Sequence, residues 1–431
     1  MTSRQGGKRR VVHRALAGLV MLGVCGAGVA GGELVPSPEP DWPQWRGPRR
    51  DAVSTETGLL DAWPEGGPRL LWKLTGMGKG WCSPIVVGNT LYIGGDVSAR
   101  LMIFALDLDG KIKWKVPNGN AWKRSHPGSR ASCAYSEGKI YQMNAYGRVL
   151  CLDADTGKHQ WNVDILNRFG ARQPYFGTSE CLLIDGKNVI VTPAGKTALI
   201  AALDKTTGET VWTGKAAPEP TEVAGYSSPI LVTLGGRKQI VATTSFRTFA
   251  ADAETGKVLW TVGLKFTRNA ASTIPVLCGD AVLITNCNVK DQSSHMLRVA
   301  ASNDKADKIW TLPLRNLSGS GVYAAGSLYI SGARQLKGYL CLDPKTGKTR
   351  ASLPEPITAA GIWADGKLFL QGDTGRVFML EPTADGFKTL GQFPVVPPVR
   401  RKDAWAHPVI CHGRLYLRYH DTLFCYDIKG K

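Results

Sequence analysis

The chain predicts an all-β fold: an eight-bladed β-propeller of four-stranded antiparallel blades, its last blade closed by an N-terminal strand. Three observations carry this reading. The stretch Asp153-Ala-Asp-Thr-Gly-Lys-His-Gln-Trp161 recurs as Asp204-Lys-Thr-Thr-Gly-Glu-Thr-Val-Trp212 and Asp252-Ala-Glu-Thr-Gly-Lys-Val-Leu-Trp260, with a shortened copy at Asp107–Trp114. A further copy, lacking its Trp, begins at Asp343. A Gly-polar turn recurs at Gly88, Gly138, Gly186, Gly236, Gly279, Gly326, Gly366 and Gly413, eight times at an average spacing of roughly 46 residues, the length of four short strands and their turns. Finally, the last unit ends at Tyr426-Asp427 without its Trp strand, while Arg69-Leu-Leu-Trp72-Lys-Leu74 stands alone far upstream.

Each element follows from these marks. Apolar runs before each Asp and around each Trp read as strands, and the Gly between them supplies the positive φ of a tight turn. The Trp offers a large surface to bury outside its own unit. Four-stranded units in tandem bury both faces only by stacking on neighbours, and a closed ring leaves no exposed end. The orphan strand at Trp72 is expected to complete the eighth unit.

Residues 1–30 read as a secretory signal: basic Arg4, Lys8, Arg9, Arg10 and Arg14, the apolar run Ala15–Val24, then Gly28-Val29-Ala30. A twin-arginine route (Lys8-Arg9-Arg10) and a lipoprotein box spoiled by Val24 are weaker variants of that signal. The expectation is export to the periplasm or cell envelope, with no lipoprotein anchor, no spanning segment in the mature chain and a monomeric state. Residues 31–68, rich in Pro and Gly, form an extended arm anchored by Trp42, Trp45 and Trp63, and residues 69–431 form the propeller. Over the whole sequence 53 basic residues face 35 acidic ones, a net of +18, which suits anionic partners such as acidic glycans or is spread as a solvated surface. An exported chain seldom meets nucleic acid, so none is expected as a partner. Cys151, Cys341 and Cys425 fall at equivalent repeat positions and read as small buried hydrophobes, and no CxxC or adjacent pair occurs.

The Asp-x-x-Thr-Gly-Lys-x-x-Trp copies, the eight-unit count and the lead-in Asp41-Trp-Pro-Gln-Trp-Arg-Gly-Pro48 together resemble the quinoprotein-like (PQQ-like) eight-bladed propellers, and in particular exported members of planctomycete type. In that family the repeat is the tryptophan-docking motif. The resemblance implies either a non-catalytic scaffold, like the propeller lipoprotein of the outer-membrane β-barrel assembly machinery, or a dehydrogenase oxidising an alcohol or sugar with pyrroloquinoline quinone and calcium. The adjacent-cysteine disulfide of many such enzymes has no counterpart here. Glu180, opening the third inner strand, is the position where the family's enzymes bring a calcium-ligating Glu, and Asn269 is a second oxygen donor to weigh with it. The alternative reading of Glu180 is a lone carboxylate hydrogen-bonded in the channel.

Sites in a propeller gather where loops enter the innermost strands. Those segments carry Trp81, Arg130, Tyr175, Tyr226, Arg268, Asn269, Trp405 and His407. They are expected to form a channel-mouth pocket for a polar, anionic or sugar-like ligand, or else to plug the mouth by packing on each other. Ala194-Gly195-Lys196-Thr197 ends like a phosphate-binding loop, but Ile190 stands where its first Gly belongs. No nucleophile elbow or HExxH occurs. The favoured expectation is therefore a non-catalytic binding or scaffold module of the cell envelope with no resident cofactor, its ligand an envelope protein or an anionic glycan.

Overall fold

The computed structural model describes residues 1–2, 31–217, 219, 221–263, 272–285, 294–316, 319–333, 336–353, 355, 357–396 and 403–430. Residues 3–30, which hold most of the expected signal, and Arg268, Asn269 and Cys287 lie outside the described residues. Eight antiparallel sheets follow one another along the chain. Blade 1, for example, is built from Ile85–Val87, Thr90–Val97, Arg100–Asp107 and Ile112–Asn120, and blade 2 from Ala134–Ser136, Lys139–Met143, Arg148–Asp153 and His159–Asp164. The first strands of neighbouring blades touch one another, Ala134–Ser136 with Leu183–Asp185 and Val322–Ala324 with Ala359–Ala364, which places them at the hub. All eight expected turn glycines sit between first and second strands, at φ between 55° and 74°.

Blade 8 is completed across the chain ends. Arg69–Leu74 lies antiparallel to Thr422–Asp427, pairing Arg69 with Asp427, Trp72 with Cys425 and Leu74 with Leu423. Blade 4 carries an addition that the sequence did not announce, the pair Glu33–Leu34 laid against Ile230–Leu234 as a fifth strand.

The cores lie between blades rather than within them. Tyr141, Val149 and Cys151 of blade 2 pack on Leu182, Val189 and Leu203 of blade 3, and one large cluster joins blades 7, 8 and 1. Central strands covered on both faces read as continuous apolar runs, such as Val149–Leu152. Outer strands alternate, as His159–Asp164 does. Cys151, Cys341 and Cys425 are buried and unpaired within these seams, as their repeat positions suggested.

Every blade shifts register between its third and fourth strands at the same place, just before the position that Trp occupies in most blades. The extra residue, Gln160 in blade 2 and Lys113 in blade 1, increases the local twist and turns the indole toward the next blade. Trp114 then donates to the carbonyl of Ala154 at 3.0 Å, Trp161 to that of Lys205 at 3.0 Å and Trp310 to that of Pro344 at 2.9 Å. The turn glycine is required for contact: a Cβ on Gly157 or Gly208 would lie 2.8 or 2.6 Å from the indole. Where the repeat decays, other groups substitute. Trp260 meets a blade without the Asp-Thr-Gly turn and bonds Gln239 at 3.3 Å, which in turn donates to Asn303 at 2.6 Å. Blade 7 has Gly391 in place of Trp, and Trp63 from the arm sits over it, its Cβ 2.6 Å from where a Cβ on Gly391 would lie.

Candidate functional site

The lead-ins to the first strands form a belt around the hub. The amide of His407 donates to Ser83, that of Ser83 to Ser132, that of Cys181 to Ser228, each at 2.9 Å, and that of Ser132 to the Cys181 sulfur at 3.3 Å. Short hydroxyl and thiol side chains let adjacent blades share these amides without widening the hub. This belt carries the residues expected to form a pocket, but the structure divides them between two levels.

At the mouth, Trp81 and Trp405 pack with centroids 5.3 Å apart, and His126 lies 5.7 Å from Trp405 and 5.5 Å from Phe176. Phe176 is edge-on to Tyr175 at 4.9 Å and to Tyr226 at 5.5 Å. The Arg130 guanidinium is held between the rings of Trp81 and Trp122, 5.4 and 5.3 Å from their centroids, and donates to the carbonyls of Ser125, Gly128 and His126. Burial lowers its pKa to about 10, against the raising effect of Asp96. Asp96 itself, which accepts from the Trp122 amide at 2.9 Å, is pushed up to about 6 by desolvation despite Arg130 and Arg418. His126 and Trp122 were not among the expected site residues, whereas Phe176 stands beside Tyr175 in the expected lead-in to blade 3.

Deeper down, the arm enters the hub. Arg46 donates to the carbonyls of Gly321 at 2.6 Å, Asp51 at 3.0 Å and Arg50 at 3.2 Å, and its guanidinium lies 3.4 Å from His407 Nδ1. His407 is thus not at the mouth: its ring packs against Trp45 at 4.9 Å. Arg50 donates to the carbonyls of Cys181 at 2.8 Å and Leu182 at 3.0 Å and to Gln44 at 3.1 Å. Both guanidinium groups are buried, and desolvation lowers both to about 10. The arm therefore joins blades 3, 6 and 8 through carbonyls and rings at the axis.

Glu180 lies in this level. Its Oε2 accepts from the Thr192 amide at 3.1 Å, its Oε1 has no partner, and Arg50 is the charge that bears on it. Burial raises its pKa to about 8, so it is largely protonated at neutral pH. Calcium requires six or more oxygens with ionised carboxylates among them. Among the described residues Glu180 is a single carboxyl with Arg50 as its charged neighbour, which falls short of that donor set.

Beside the mouth opens a cavity of about 470 Å³ lined by Arg124, Arg172, Gln173, Tyr175, Thr221 and Val223. Tyr175 is 68% exposed there, and the Arg124 guanidinium lies over the Trp122 ring at 5.7 Å. Two cations beside an exposed ring suit a ligand with negative charge and a flat face.

A family model described as outer membrane protein assembly factor BamB matches residues 99–353. The quinohemoprotein alcohol dehydrogenase ADH-IIG of Pseudomonas putida is 30% identical over 141 residues, 30% of this chain and 18% of that enzyme. The lanthanide-dependent methanol dehydrogenase of Methylacidiphilum fumariolicum is 29% identical over 159 residues, 33% of this chain and 25% of that enzyme. The matched stretches thus span a quarter or less of these relatives' length. Among solved structures, BamB from Moraxella catarrhalis aligns with a TM-score of 0.59 at 14% identity, covering 84% of this chain and 98% of that one. The quinohemoprotein alcohol dehydrogenase from Comamonas testosteroni aligns with a TM-score of 0.64 at 13% identity, over 91% of this chain and 81% of that one. At these identities the structural likeness carries the fold alone.

Proposed function

The chain belongs to the family described as outer membrane protein assembly factor BamB, and from that membership we propose that it is an exported, non-catalytic binding module of the cell envelope. On this reading residues 1–30 are its secretory signal, residues 31–68 the arm and residues 69–431 the binding propeller. Among the described residues no helix is long and apolar enough to cross a membrane. The observation that carries the non-catalytic reading is the occupation of the hub by the arm. Arg46 and Arg50 are bonded to hub carbonyls, and the charge of Arg50 bears on Glu180.

The ligand is then taken beside the mouth, where Arg124, Arg172 and Tyr175 line an open cavity. Guanidinium groups bind carboxylate or sulfate bidentately, and the phenol ring stacks on a sugar or aromatic face. Arg130, Trp81 and Trp405 act as the rigid floor, because Arg130 is already committed to three carbonyls. An acidic glycan or an acidic segment of an envelope protein supplies the matching chemistry.

Titration with a sulfated oligosaccharide and with a poly-glutamate peptide tests this reading. Binding of either one that weakens at least tenfold in Arg124→Ala and falls with added salt is the expected result. The competing dehydrogenase reading is tested by adding pyrroloquinoline quinone with calcium or a lanthanide. Stoichiometric quinone absorbance with dye-linked alcohol oxidation would overturn the proposal.

A further inference from the structure

On the opposite side of the ring from the mouth, the arm runs across the turns between first and second strands and fastens to them with carboxylates. Glu39 accepts from the amide of Glu137 at 2.7 Å, Asp41 from that of Gly88 at 2.8 Å, and Glu56 from those of His412 and Gly413, the latter at 2.7 Å. Between the arm and blade 8 this leaves a cavity of about 270 Å³ lined by Glu39, Asp41, Glu56, Arg49 and Cys411. Arg49 is paired with Asp51 at 2.8 Å, so its charge is already met. The result is a local acidic recess on a chain whose formal net charge is +18.

Three side chains of different ligand chemistry converge here. Asp41 Oδ1 and His412 Nε2 are 2.9 Å apart, and together with Cys411 they place one ligand atom each within 4.8 Å of one another. Cys411 is buried and in no disulfide.

We propose that Asp41, Cys411 and His412 form a binding site for a zinc-class divalent cation that clasps the arm to the last blade. Thiolate, imidazole and carboxylate are the donors such an ion takes, at about 2.3 Å to sulfur and about 2.0–2.2 Å to nitrogen and oxygen. Tetrahedral angles at those lengths put ligand atoms roughly 3.3–3.8 Å apart. The triad therefore needs only side-chain rotation to admit the ion, which replaces the Asp41–His412 hydrogen bond. Water from the recess takes the fourth position. Supporting groups are in place: the Gly88 amide holds the second oxygen of Asp41, and Glu56 fixes the backbone that carries His412. Cys411 binds as thiolate and releases its proton to solvent on loading. The site bridges residues 41 and 411–412, so loading stabilises arm docking as well as local structure. The clasp is independent of whatever ligand the mouth takes.

Cobalt(II) titration of untagged, chelator-stripped protein tests the site, with zinc as competitor. The expected result is one equivalent of cobalt giving a thiolate-to-cobalt charge-transfer band with the strong visible bands of four-coordination, both abolished by one equivalent of zinc. Cys411→Ser removes the charge-transfer band, while Cys151→Ser, an equally buried thiol in blade 2, keeps it. Asp41→Asn leaves the blade cores untouched and weakens cobalt binding at least tenfold. It also abolishes the zinc-dependent rise in melting temperature that mass action gives the wild type. Absence of the band in the wild type, its persistence in Cys411→Ser, or undiminished affinity in Asp41→Asn would overturn the proposal.

Discussion

Trp72 and Gly110 meet face to face across the seam that closes the ring: the indole nitrogen donates to the Leu108 carbonyl at 2.8 Å, and a Cβ on Gly110 would lie 2.8 Å from the ring. Trp72 comes from the strand that completes blade 8, and Gly110 from blade 1. The contact repeats the docking seen at Trp114–Gly157 and Trp161–Gly208, but here it joins the two ends of the propeller. Trp72→Ala is expected to cost about 2–4 kcal/mol, in the range of large-to-small changes discounted for partial burial. Gly110→Ala strains a residue at φ +83° and is expected to lower stability as well. Denaturant unfolding of both single variants and the double checks this, and the double should cost less than the sum because both changes break one contact. Removing residues before 75 should destabilise the whole fold rather than one blade.

The arm supplies a second prediction. Arg50 satisfies the carbonyls of Cys181 and Leu182 from inside the hub, and Arg46 that of Gly321. Replacing either by Met keeps much of the volume but leaves buried carbonyls without donors. A loss of about 2–4 kcal/mol is expected for each, little altered between low and high salt because the contacts are buried. Equilibrium unfolding at two ionic strengths measures it.

These residues also mark the limit of what the sequence disclosed. The blade count, the closing strand and the buried cysteines were legible because a repeat states the same local physics several times, and the copies correct one another. Arg46 and Arg50 occur once each, in a Pro- and Gly-rich stretch whose period matches no strand or helix. Nothing local says that a basic pair there turns inward. His407 was legible as a hub lead-in, yet its side chain is set by Trp45 and Arg46 of the arm, some 360 residues away in sequence. The same distance hides Asp41 from Cys411 and His412. The register shift before each Trp position was hidden for another reason: it puts two outward-facing residues side by side at the very start of the strand, where they merge with the polar turn before it.

The relay at blade 5 gives a third prediction. Trp260 reaches its neighbour through Gln239, which bonds Asn303. Gln239→Leu leaves the indole N–H and the Asn303 carbonyl oxygen unpaired in a buried seam and is expected to cost about 1–3 kcal/mol. Asn303→Asp, which keeps the acceptor, should cost less at a pH where the new carboxyl stays protonated. Comparing the melting temperatures of both variants decides it.

Glu180 gives the last prediction, a pH dependence of fixed sign. Its pKa in the folded chain is raised to about 8 from an ordinary 4.5, chiefly by burial. Between those values the folded state holds a proton that the unfolded chain has released, so stability falls as pH rises through that window and levels off above it. Asp96, raised to about 6 from 3.8, contributes a similar fall over the lower part of the range. Glu180→Gln removes the first of these contributions while keeping the shape of the side chain and an acceptor for the Thr192 amide. Wild type and variant should therefore be close in stability near pH 4. By pH 9 the variant should be the more stable by up to roughly 5 kcal/mol, since each tenfold change in proton affinity between folded and unfolded chain is worth about 1.4 kcal/mol. Arg50 is the counterweight, because its charge favours ionised Glu180. In an Arg50→Met background the Glu180→Gln gain at pH 9 should therefore increase. Unfolding free energies from pH 4 to 9 for the four proteins test both statements. A gain that is the same at both ends of the range would mean that Glu180 ionises in the folded hub as it does in water.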